Sequence, residues 1–200
     1  GGEALGLHCD VSDEASTLAM AEQATARFGG IDVLINNAAV FADIPTQSYD
    51  KIPVAEWDRV MAVNVRGAFL CSRAVIPAMR QRGQGKIINI SSSTILHGTP
   101  FILHYVTSKG AIMAFTRALA REVGQWNICV NSVGPGLTMS EAVSQHPSYP
   151  KWDAGVVKSR CLQRSQSSDD ICGTIVYLAS GASDFITGQF ITVDGGTSMH

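Results

Sequence analysis

Short apolar runs rich in β-branched residues alternate along this chain with longer segments whose apolar residues recur at helical spacing. Runs of the first kind are typical of buried strands, and their alternation with helices is typical of βαβ units around a parallel sheet. The predicted strands are Leu5–Cys9, Ile31–Ile35, Lys86–Ile90, Ile128–Val133 and Phe190–Val193. The predicted helices are Ser12–Phe28, Ala55–Arg82, His104–Gly124 and Ser168–Ser180. The pattern therefore predicts one α/β domain over residues 1–200, a doubly wound parallel sheet between two helical layers.

Three features interrupt this pattern. Gly29 and Gly30 end the first helix, as glycines commonly do, and Pro77 predicts a bend or a break near the end of the second helix. Residues 137–166 follow neither the strand period nor the helix period. We predict that this segment is a mobile lid over the substrate.

Composition narrows the classes of function. With 15 Lys and Arg residues and a net charge of -2, the chain has no basic stripe, which argues against nucleic acid as a partner. Its five cysteines form no C-x-x-C pair and no pattern of metal ligands, so we expect reduced thiols, a cytoplasmic location and no metal. No apolar run of bilayer length is predicted, so a membrane partner is not expected.

The residues with the clearest chemistry are Tyr105 and Lys109, which lie four positions apart in a predicted helix and so share a face. A phenol has an ordinary pKa of about 10, and a neighbouring cation favours its ionised form. The pair is therefore a candidate acid/base. The alternative is a half-buried ring beside an amine whose stem lies along apolar surface.

Ser92 adds a second observation, because it lies thirteen residues before Tyr105 and directly after a predicted strand. A hydroxyl at the carboxyl edge of the sheet can bind a substrate oxygen while Tyr105 transfers the proton. The alternative for Ser91, Ser92 and Ser93 is a loop that caps its own backbone, and one of the three can do both.

Further motifs agree with this arrangement in order and spacing. They are Asp10-Val11, Asn36-Asn37-Ala38-Ala39 after a strand, Asn64-Val65-Arg66-Gly67 in a helix, Pro135-Gly136, and Ile186-Thr187-Gly188 followed by Val193-Asp194-Gly195-Gly196. Together with Ser92 and the Tyr105–Lys109 pair, they resemble the short-chain dehydrogenase/reductase family over essentially all 200 residues.

The resemblance implies a catalytic set of four residues. Asn64 would hold a water that links Lys109 to solvent, and Ser92 would position the substrate carbonyl. Tyr105 would donate or accept the proton, while Lys109 would lower its pKa and bind ribose hydroxyls. The hydride chemistry belongs to the cofactor, so no metal is required. Asn64 has the alternative of bonding backbone within its own helix.

The resemblance also implies a set of cofactor-binding residues: Asp10, Val11, Asn37, Ala38, Tyr105, Lys109, Pro135, Gly136, Thr138 and Ser140. Asp10 has an equally good reading as an anion at a helix N-terminus, and Asn37 as a turn residue. Ala39 stands where the family has glycine, which narrows the space beside the cofactor. Ser140 occupies the family's threonine position with Thr138 two residues earlier, and the sequence does not decide between their hydroxyls.

The family's fold begins with a strand, a glycine-rich turn, a helix and a second strand, and this chain contains no such glycine-rich turn. We therefore expect an N-terminally incomplete domain, lacking the first β-α-β unit, in which the strand at Leu5–Cys9 loses its partners. Such a chain should fold poorly and hold a pyrophosphate weakly. The residue that distinguishes NAD from NADP belongs to the missing unit.

Three further segments resemble family members acting on aromatic or ring alcohols, such as pyridoxal 4-dehydrogenase and 1-phenylethanol dehydrogenase. They are Gly98-Thr99-Pro100, Thr116-Arg117-Ala118-Leu119-Ala120 and Met199-His200. This resemblance favours NAD as the cofactor, with NADP as the alternative. It also favours an alcohol, ketone or aldehyde as the substrate, and a homodimer or homotetramer. An NADPH-dependent 3-oxoacyl-carrier-protein reductase is the competing enzyme. A non-catalytic oligomerising homologue is the alternative from another class.

Overall fold

The computed structural model describes residues 2–145 and 149–199. The strands are β1 (Val33–Asn36), β2 (Gly85–Ile90), β3 (Ile128–Pro135), β4 (Thr138–Met139), β5 (Gln166–Ser167) and β6 (Phe190–Val193). The α-helices are α1 (Glu14–Phe28), α2 (Val54–Met61), α3 (Gly67–Arg82), α4 (Thr94–His97), α5 (Leu103–Val123), α6 (Glu141–Ser144), α7 (Tyr149–Ser159) and α8 (Asp169–Ala179). Short 3₁₀ turns lie at Tyr49–Lys51, Gly124–Trp126 and Gly181–Ser183.

The main sheet has the order β1-β2-β3-β6, and all its strand pairs are parallel. Successive residues of a strand point to opposite faces, so Ile87 and Ile88 enter two different cores. Ile87 packs with side chains of α1, α3 and α5, whereas Ile88 packs with Leu178 of α8. Helices thus cover both faces, which confirms the predicted three-layer, Rossmann-type architecture.

Four of the five predicted strands are present, with ends within two residues of the predicted ones. The strand predicted at Leu5–Cys9 is wrong, because residues 2–9 are irregular and mostly exposed. An extended segment becomes a strand only when a neighbour pairs with its main chain. Within the described residues, no strand pairs with the outer edge of β1 or with residues 2–9.

The predicted long helix at Ala55–Arg82 is two α-helices joined by a π-helical turn at Ala62–Arg66. A bend or a break was predicted at Pro77, and the break is wrong, because Pro77 lies inside α3, which continues to Arg82. Contrary to the sequence expectation, Val54–Arg82 is long and apolar enough to cross a membrane by length and composition alone. In the structure it packs as a core helix against α1, α5 and the sheet.

Residues 137–166, predicted as a lid without regular structure, contain β4, α6 and α7 in their described part. The short strands β4 and β5 pair in parallel and join the two ends of this covering segment. His146 and Pro147 lie outside the described residues. The predicted role of the covering segment as a mobile lid stays a prediction.

One glycine of the sheet is expected to be intolerant of substitution. A Cβ at Gly134 would lie 2.6 Å from Cε2 of Phe190, on the neighbouring strand. We expect Gly134→Ala to lower the free energy of unfolding by about 1–3 kcal/mol through overpacking. Chemical denaturation measures this, and adding Phe190→Leu should recover part of the loss.

A matched control is Gly173→Ala in α8, where an added Cβ meets nothing within 4 Å. Removing a helical glycine there should leave stability unchanged or raise it by roughly 0.5–1 kcal/mol. Equal losses in the two variants would contradict the packing argument at Gly134.

Candidate active site

The carboxyl ends of three parallel strands deliver the candidate residues to one edge of the sheet. Asn37 follows β1, Ser91 and Ser92 follow β2, and Pro135 ends β3 beside Gly136. Ligands of open α/β sheets bind outside this edge. The register supports the proximity of these residues, because Ser91 N–H donates to Val133 O at 2.7 Å and Ser93 N–H to Pro135 O at 2.9 Å.

Tyr105 and Lys109 share one face of α5, as their spacing predicts. The Lys109 Nζ lies 5.6 Å from the centroid of the Tyr105 ring and donates to Ile90 O at 2.7 Å. Both side chains are buried, and the Tyr105 ring stacks at 4.6 Å on the Phe41 ring. The structure thus brings together the end of β2 and the predicted acid/base pair.

Burial dominates the protonation of both groups. It raises the pKa of Tyr105 from 10.0 to about 12, and a side-chain hydrogen bond with Ser92 acts in the opposite direction. It lowers the pKa of Lys109 from 10.5 to about 8. The sequence led us to expect a Tyr105 pKa lowered by Lys109. The direction is the reverse, because the desolvation of a phenolate outweighs its partners here.

Asn64 is held in the π-helical turn between α2 and α3, and its side chain reaches across to two other elements. Its Oδ1 accepts from Val40 N–H at 2.7 Å, and its Nδ2 donates to Val40 O at 3.2 Å and to Ser108 Oγ at 3.0 Å. The alternative, in which the Asn64 side chain bonds to backbone within its own helix, is therefore wrong. Ser108, one position before Lys109, connects Asn64 to α5.

The three serines after β2 have separate contacts. Ser91 Oγ donates to Lys109 O at 2.8 Å, which fixes α5 against the strand end. Ser92 Oγ accepts from Thr94 N–H at 3.2 Å and from Thr94 Oγ1 at 3.0 Å. Ser92 therefore caps local backbone and also contacts Tyr105, while its predicted role of binding a substrate oxygen stays a prediction.

Asp10 and Val11 lie before α1, away from regular structure. Asp10 Oδ1 accepts from Ser12 N–H at 2.8 Å and from Ser12 Oγ at 2.7 Å, and these bonds lower the pKa of Asp10. The residue that caps α1 is Asp13, whose side chain accepts from Ser16 N–H. Asp10 is thus not the cap of α1, but it lies beside the start of this helix, where its N–H donates to Ser16 Oγ at 2.9 Å, and its alternative as an anion at a helix N-terminus stays open.

Asn36 and Asn37, at the end of β1, have different environments. Asn36 Nδ2 donates to Asn89 Oδ1 of β2 at 2.8 Å, so it belongs to the sheet. Asn37 and Ala38 are exposed at the sheet edge, where a ligand can reach them.

On the other side of the edge, Gly136 N–H donates to Val193 O at 3.0 Å, and this bond ties the end of β3 to the end of β6. A Cβ at Gly136 would lie 2.9 Å from Cβ of Asp194, so the turn after β3 requires glycine there.

Thr138 and Ser140 differ in what their hydroxyls already bind. Ser140 Oγ accepts from Val143 N–H at 3.3 Å and caps α6. Thr138 Oγ1 donates to Gly136 O at 3.0 Å and keeps its acceptor capacity at the start of the covering segment. The geometry favours Thr138 as the free acceptor, which the sequence left open.

The residues fit the nicotinamide and ribose half of a dinucleotide. An ammonium has three N–H donors, and the described chain gives Lys109 one hydrogen-bond acceptor, Ile90 O. Asn37 and Ala38 are exposed on one side of the same edge, and Pro135 and Gly136 lie half-buried on the other. Within residues 2–145 and 149–199, no group of three or more His, Cys, Asp or Glu is placed to hold a metal ion.

Comparisons with known proteins identify the relatives of this chain. A family model described as Enoyl-(Acyl carrier protein) reductase matches residues 1–198. A cyclopentanol dehydrogenase of Comamonas testosteroni is 35% identical, over 98% of this chain and 77% of its own length. A 3-alpha-(or 20-beta)-hydroxysteroid dehydrogenase of Mycobacterium tuberculosis is 36% identical, over 96% of this chain and 70% of its own length.

A solved gluconate 5-dehydrogenase from Burkholderia cenocepacia, in complex with NADP and tartrate, has a TM-score of 0.85 and 32% identity. It is matched over 94% of this chain and 72% of that chain. ElxO with NADP bound has a TM-score of 0.88 and 26% identity, over 96% and 77% of the two chains. Fold and site together define a Rossmann-type oxidoreductase.

The chain belongs to the short-chain dehydrogenase/reductase family. Its relatives are named as dehydrogenases and reductases, and this protein is an enzyme of this family, which acts on CH–OH groups with NAD(P).

Proposed function

We propose that this protein oxidises an aromatic or ring alcohol to the corresponding ketone or aldehyde, and catalyses the reverse reaction, with NAD as the cofactor. The observation that carries the proposal is the convergence of Ser92, Tyr105 and Lys109 at the carboxyl edge of the sheet, with Asn64 attached through Ser108. Four polar groups buried together at a ligand-binding edge suit proton transfer at a substrate oxygen.

In this proposal the residues divide the work. A bound nicotinamide supplies the hydride chemistry. Ser92 donates a hydrogen bond to the substrate oxygen, and Tyr105 takes the alcohol proton during oxidation and returns it during reduction. Because burial keeps the proton on Tyr105, the neutral phenol is a ready donor for carbonyl reduction. For oxidation the phenol must first release its own proton to solvent, and the resulting phenolate then takes the alcohol proton, so oxidation is favoured as the pH rises.

The remaining candidates hold the cofactor. Lys109 binds the ribose hydroxyls, Asn37 and Ala38 line the ribose side, and Pro135 and Gly136 line the nicotinamide side, with Thr138 rather than Ser140 accepting from the carboxamide. Asp10 and Val11 contact the adenine. Because Val11 lies 2.8 Å from where a Cβ of Gly67 would be, its position is fixed by packing on α3.

The proposed substrate class rests on the apolar surface near the site. Phe41 stacks on Tyr105, while Leu96 and Phe101 are exposed on the segments that follow Ser92. Such a surface suits an apolar ring. The names of the cyclopentanol and hydroxysteroid dehydrogenases among its relatives favour the same class. The solved relatives with NADP keep NADP as the alternative cofactor.

The competing activity is NADPH-dependent reduction of a 3-oxoacyl group on a carrier protein. An acidic carrier needs a basic docking surface. In the described part of the covering segment, Arg160 is buried and Arg164 is bonded to Asp170. Lys151 and Lys158 are exposed, but they make only a sparse basic patch. This favours a free alcohol over a carrier-bound group as the substrate.

We also propose a homodimer or homotetramer in the cytoplasm. Apolar side chains of α8 and the following turn are exposed, among them Val176, Tyr177 and Phe185, and a partner copy would cover them. All five cysteines are free, which suits a reducing compartment. A non-catalytic homologue would retain these surfaces and lack turnover.

One assay separates the three possibilities. Absorbance at the reduced nicotinamide band is followed with NAD or NADP and a panel of ring and aromatic alcohols, and then with NADPH and a 3-oxoacyl carrier. We expect the fastest turnover with NAD and a ring alcohol. Faster reduction of the oxoacyl carrier would establish the competing activity. An oligomer with no turnover on any substrate would support the non-catalytic alternative.

A further inference from the structure

Tyr105 lies in the first turn of α5, and the chain that leads into this turn is strained. Phe101 has a φ of 67°, in the left-handed region that bulky residues rarely adopt. Ile102 precedes the helix without a side-chain capping bond. A helix start of this kind frays unless other contacts hold it, because its first N–H groups lack helical partners.

Two polar contacts hold this helix start, one from Gln47 and one from Glu56, and a third joins Gln47 to Glu56. Gln47 N–H donates to the carbonyl of the strained Phe101 at 2.9 Å. His104, directly before Tyr105, places Nε2 at 3.0 Å from Glu56 Oε1. Gln47 Nε2 donates to the same Glu56 oxygen at 2.8 Å. One carboxylate oxygen on α2 therefore joins the segment before α2 to the first turn of α5.

The His104 ring is fully buried, and its Nδ1 has no hydrogen-bond partner. A buried ring with an orphan nitrogen is costly, so burial alone does not explain a histidine here. The contact from Nε2 to Glu56 does explain it, because a carboxylate strengthens a hydrogen bond of this kind. Glu56 is itself largely buried, with 18% of its side chain exposed.

Residues 40–47 and α2 also pack on the Tyr105 ring. Phe41 stacks on it, and Ile44 and Val60 complete the apolar cluster around it. Asn64 fixes Val40 from the other side through both of its main-chain groups. Residues 40–47 and α2 therefore form one wall against Tyr105, joined to it by apolar contact and by the Glu56–His104 bond.

We propose that Gln47, Glu56 and His104 form a latch that positions Tyr105 for proton transfer. These three are positioning residues, because none of them contacts the Tyr105 hydroxyl. Proton transfer requires the donor and acceptor within hydrogen-bond reach, and a displacement of about 1 Å can cost roughly 100-fold in rate. Since the role of Tyr105 belongs to the proposed function, this inference rests on it.

The test compares three variants of the full chain. Glu56→Ala removes the shared acceptor and should lower kcat about 10–100-fold, with the KM for the dinucleotide within roughly twofold. Glu56→Gln keeps a carbonyl oxygen for both donors and should stay within about threefold of the unmodified protein. Asp43→Ala is the matched control, because the Asp43–Arg59 bond at 2.8 Å also joins residues 40–47 to α2 without involving α5. It should leave kcat unchanged.

A second readout does not depend on turnover. Ultraviolet titration of tyrosine, taken as the difference from Tyr105→Phe in each background, reports the ionisation of Tyr105 alone. In the unmodified protein, Tyr105 should stay neutral up to about pH 11, whereas in Glu56→Ala the released phenol should ionise near its ordinary value of about 10. His104→Phe, which fills the ring volume without the bond, should behave like Glu56→Ala.

The outcomes are distinguishable from those of the proposed function. If the unmodified protein has no turnover, the proposed function fails, and the titration alone decides the latch. An unchanged Tyr105 titration in both Glu56→Ala and His104→Phe overturns the latch. So does a loss of kcat in Asp43→Ala as large as that in Glu56→Ala, because the effect would then not be specific to the contact with α5.

Discussion

Tyr105→Phe is expected to lower kcat by about 10²–10⁴-fold, which is the usual contribution of a positioned acid/base. The phenol hydroxyl is the group that would exchange a proton with the substrate, and Ser92 contacts it without being able to replace it. Removing the hydroxyl keeps the ring on Phe41 and costs no packing. Stability should therefore change by less than about 1 kcal/mol, apart from the lost hydrogen bond.

The measurement is kcat with the best alcohol of the panel, together with a thermal melt to show that the variant is folded. Tyr49→Phe is the matched control, because Tyr49 is exposed in a 3₁₀ turn away from the site. We expect it to behave as the unmodified protein. Full turnover of Tyr105→Phe would remove Tyr105 from the chemistry.

Lys109→Met is expected to abolish turnover and, at pH 7, to make the protein more stable. The ammonium is buried without a carboxylate partner among the described residues, and burial lowers its pKa from 10.5 to about 8. A shift of this size corresponds to ~3 kcal/mol of stability lost to desolvation of the charge. Losing the bond to Ile90 O offsets part of the gain, so we expect a net increase of about 1–2 kcal/mol.

The pH dependence has a definite sign. Below pH 8 the amine is charged in the folded and the unfolded chain, so the cost of burying it is fully present. Between pH 8 and 10.5 the folded chain loses this proton first, and the cost declines with rising pH. The advantage of Lys109→Met should therefore be largest below pH 8 and vanish by about pH 10.5. Denaturant unfolding at several pH values measures it.

Turnover should be lost in Lys109→Met because methionine offers no N–H to ribose hydroxyls and no charge beside the phenol. Thr107→Val is a suitable control on the same helix, since Thr107 is exposed and bonds only to Leu103 O within the described residues. A Lys109→Met protein less stable than the unmodified one at pH 7, or an advantage that does not change with pH, would contradict the burial argument.

The sequence predicts the strands and helices that carry strong periodicity, and its errors have physical causes. Leu5–Cys9 has the composition of a strand, but strand formation depends on a paired neighbour, which composition does not encode. The π-helical turn at Ala62–Arg66 differs from an α-helix by one residue in register, which apolar spacing does not resolve. The covering segment contains short elements whose apolar residues are too few to show a period.

The candidate site was likewise predicted from the sequence only in part. The predicted parallel strands and helix spacing were sufficient to bring Ser92, Tyr105 and Lys109 together, because parallel strands deliver their ends to one edge. The partners of Asn64 depend on the path of residues 40–47, which shows no periodicity in the sequence. The direction of the Tyr105 pKa depends on burial, which only packing determines. Glu56 and His104 are 48 residues apart and belong to no sequence motif, so no pattern indicated their contact.

The central claim is hydride transfer with proton exchange at Tyr105, and isotope transfer tests it most directly. A secondary ring alcohol deuterated at its carbinol carbon is incubated with the protein and the oxidised dinucleotide, and the reduced dinucleotide is analysed by mass spectrometry. We expect deuterium on the nicotinamide with the unmodified protein, and at least about 100-fold slower labelling with Tyr105→Phe. Reduced dinucleotide without deuterium, or equal labelling by both proteins, would contradict the account.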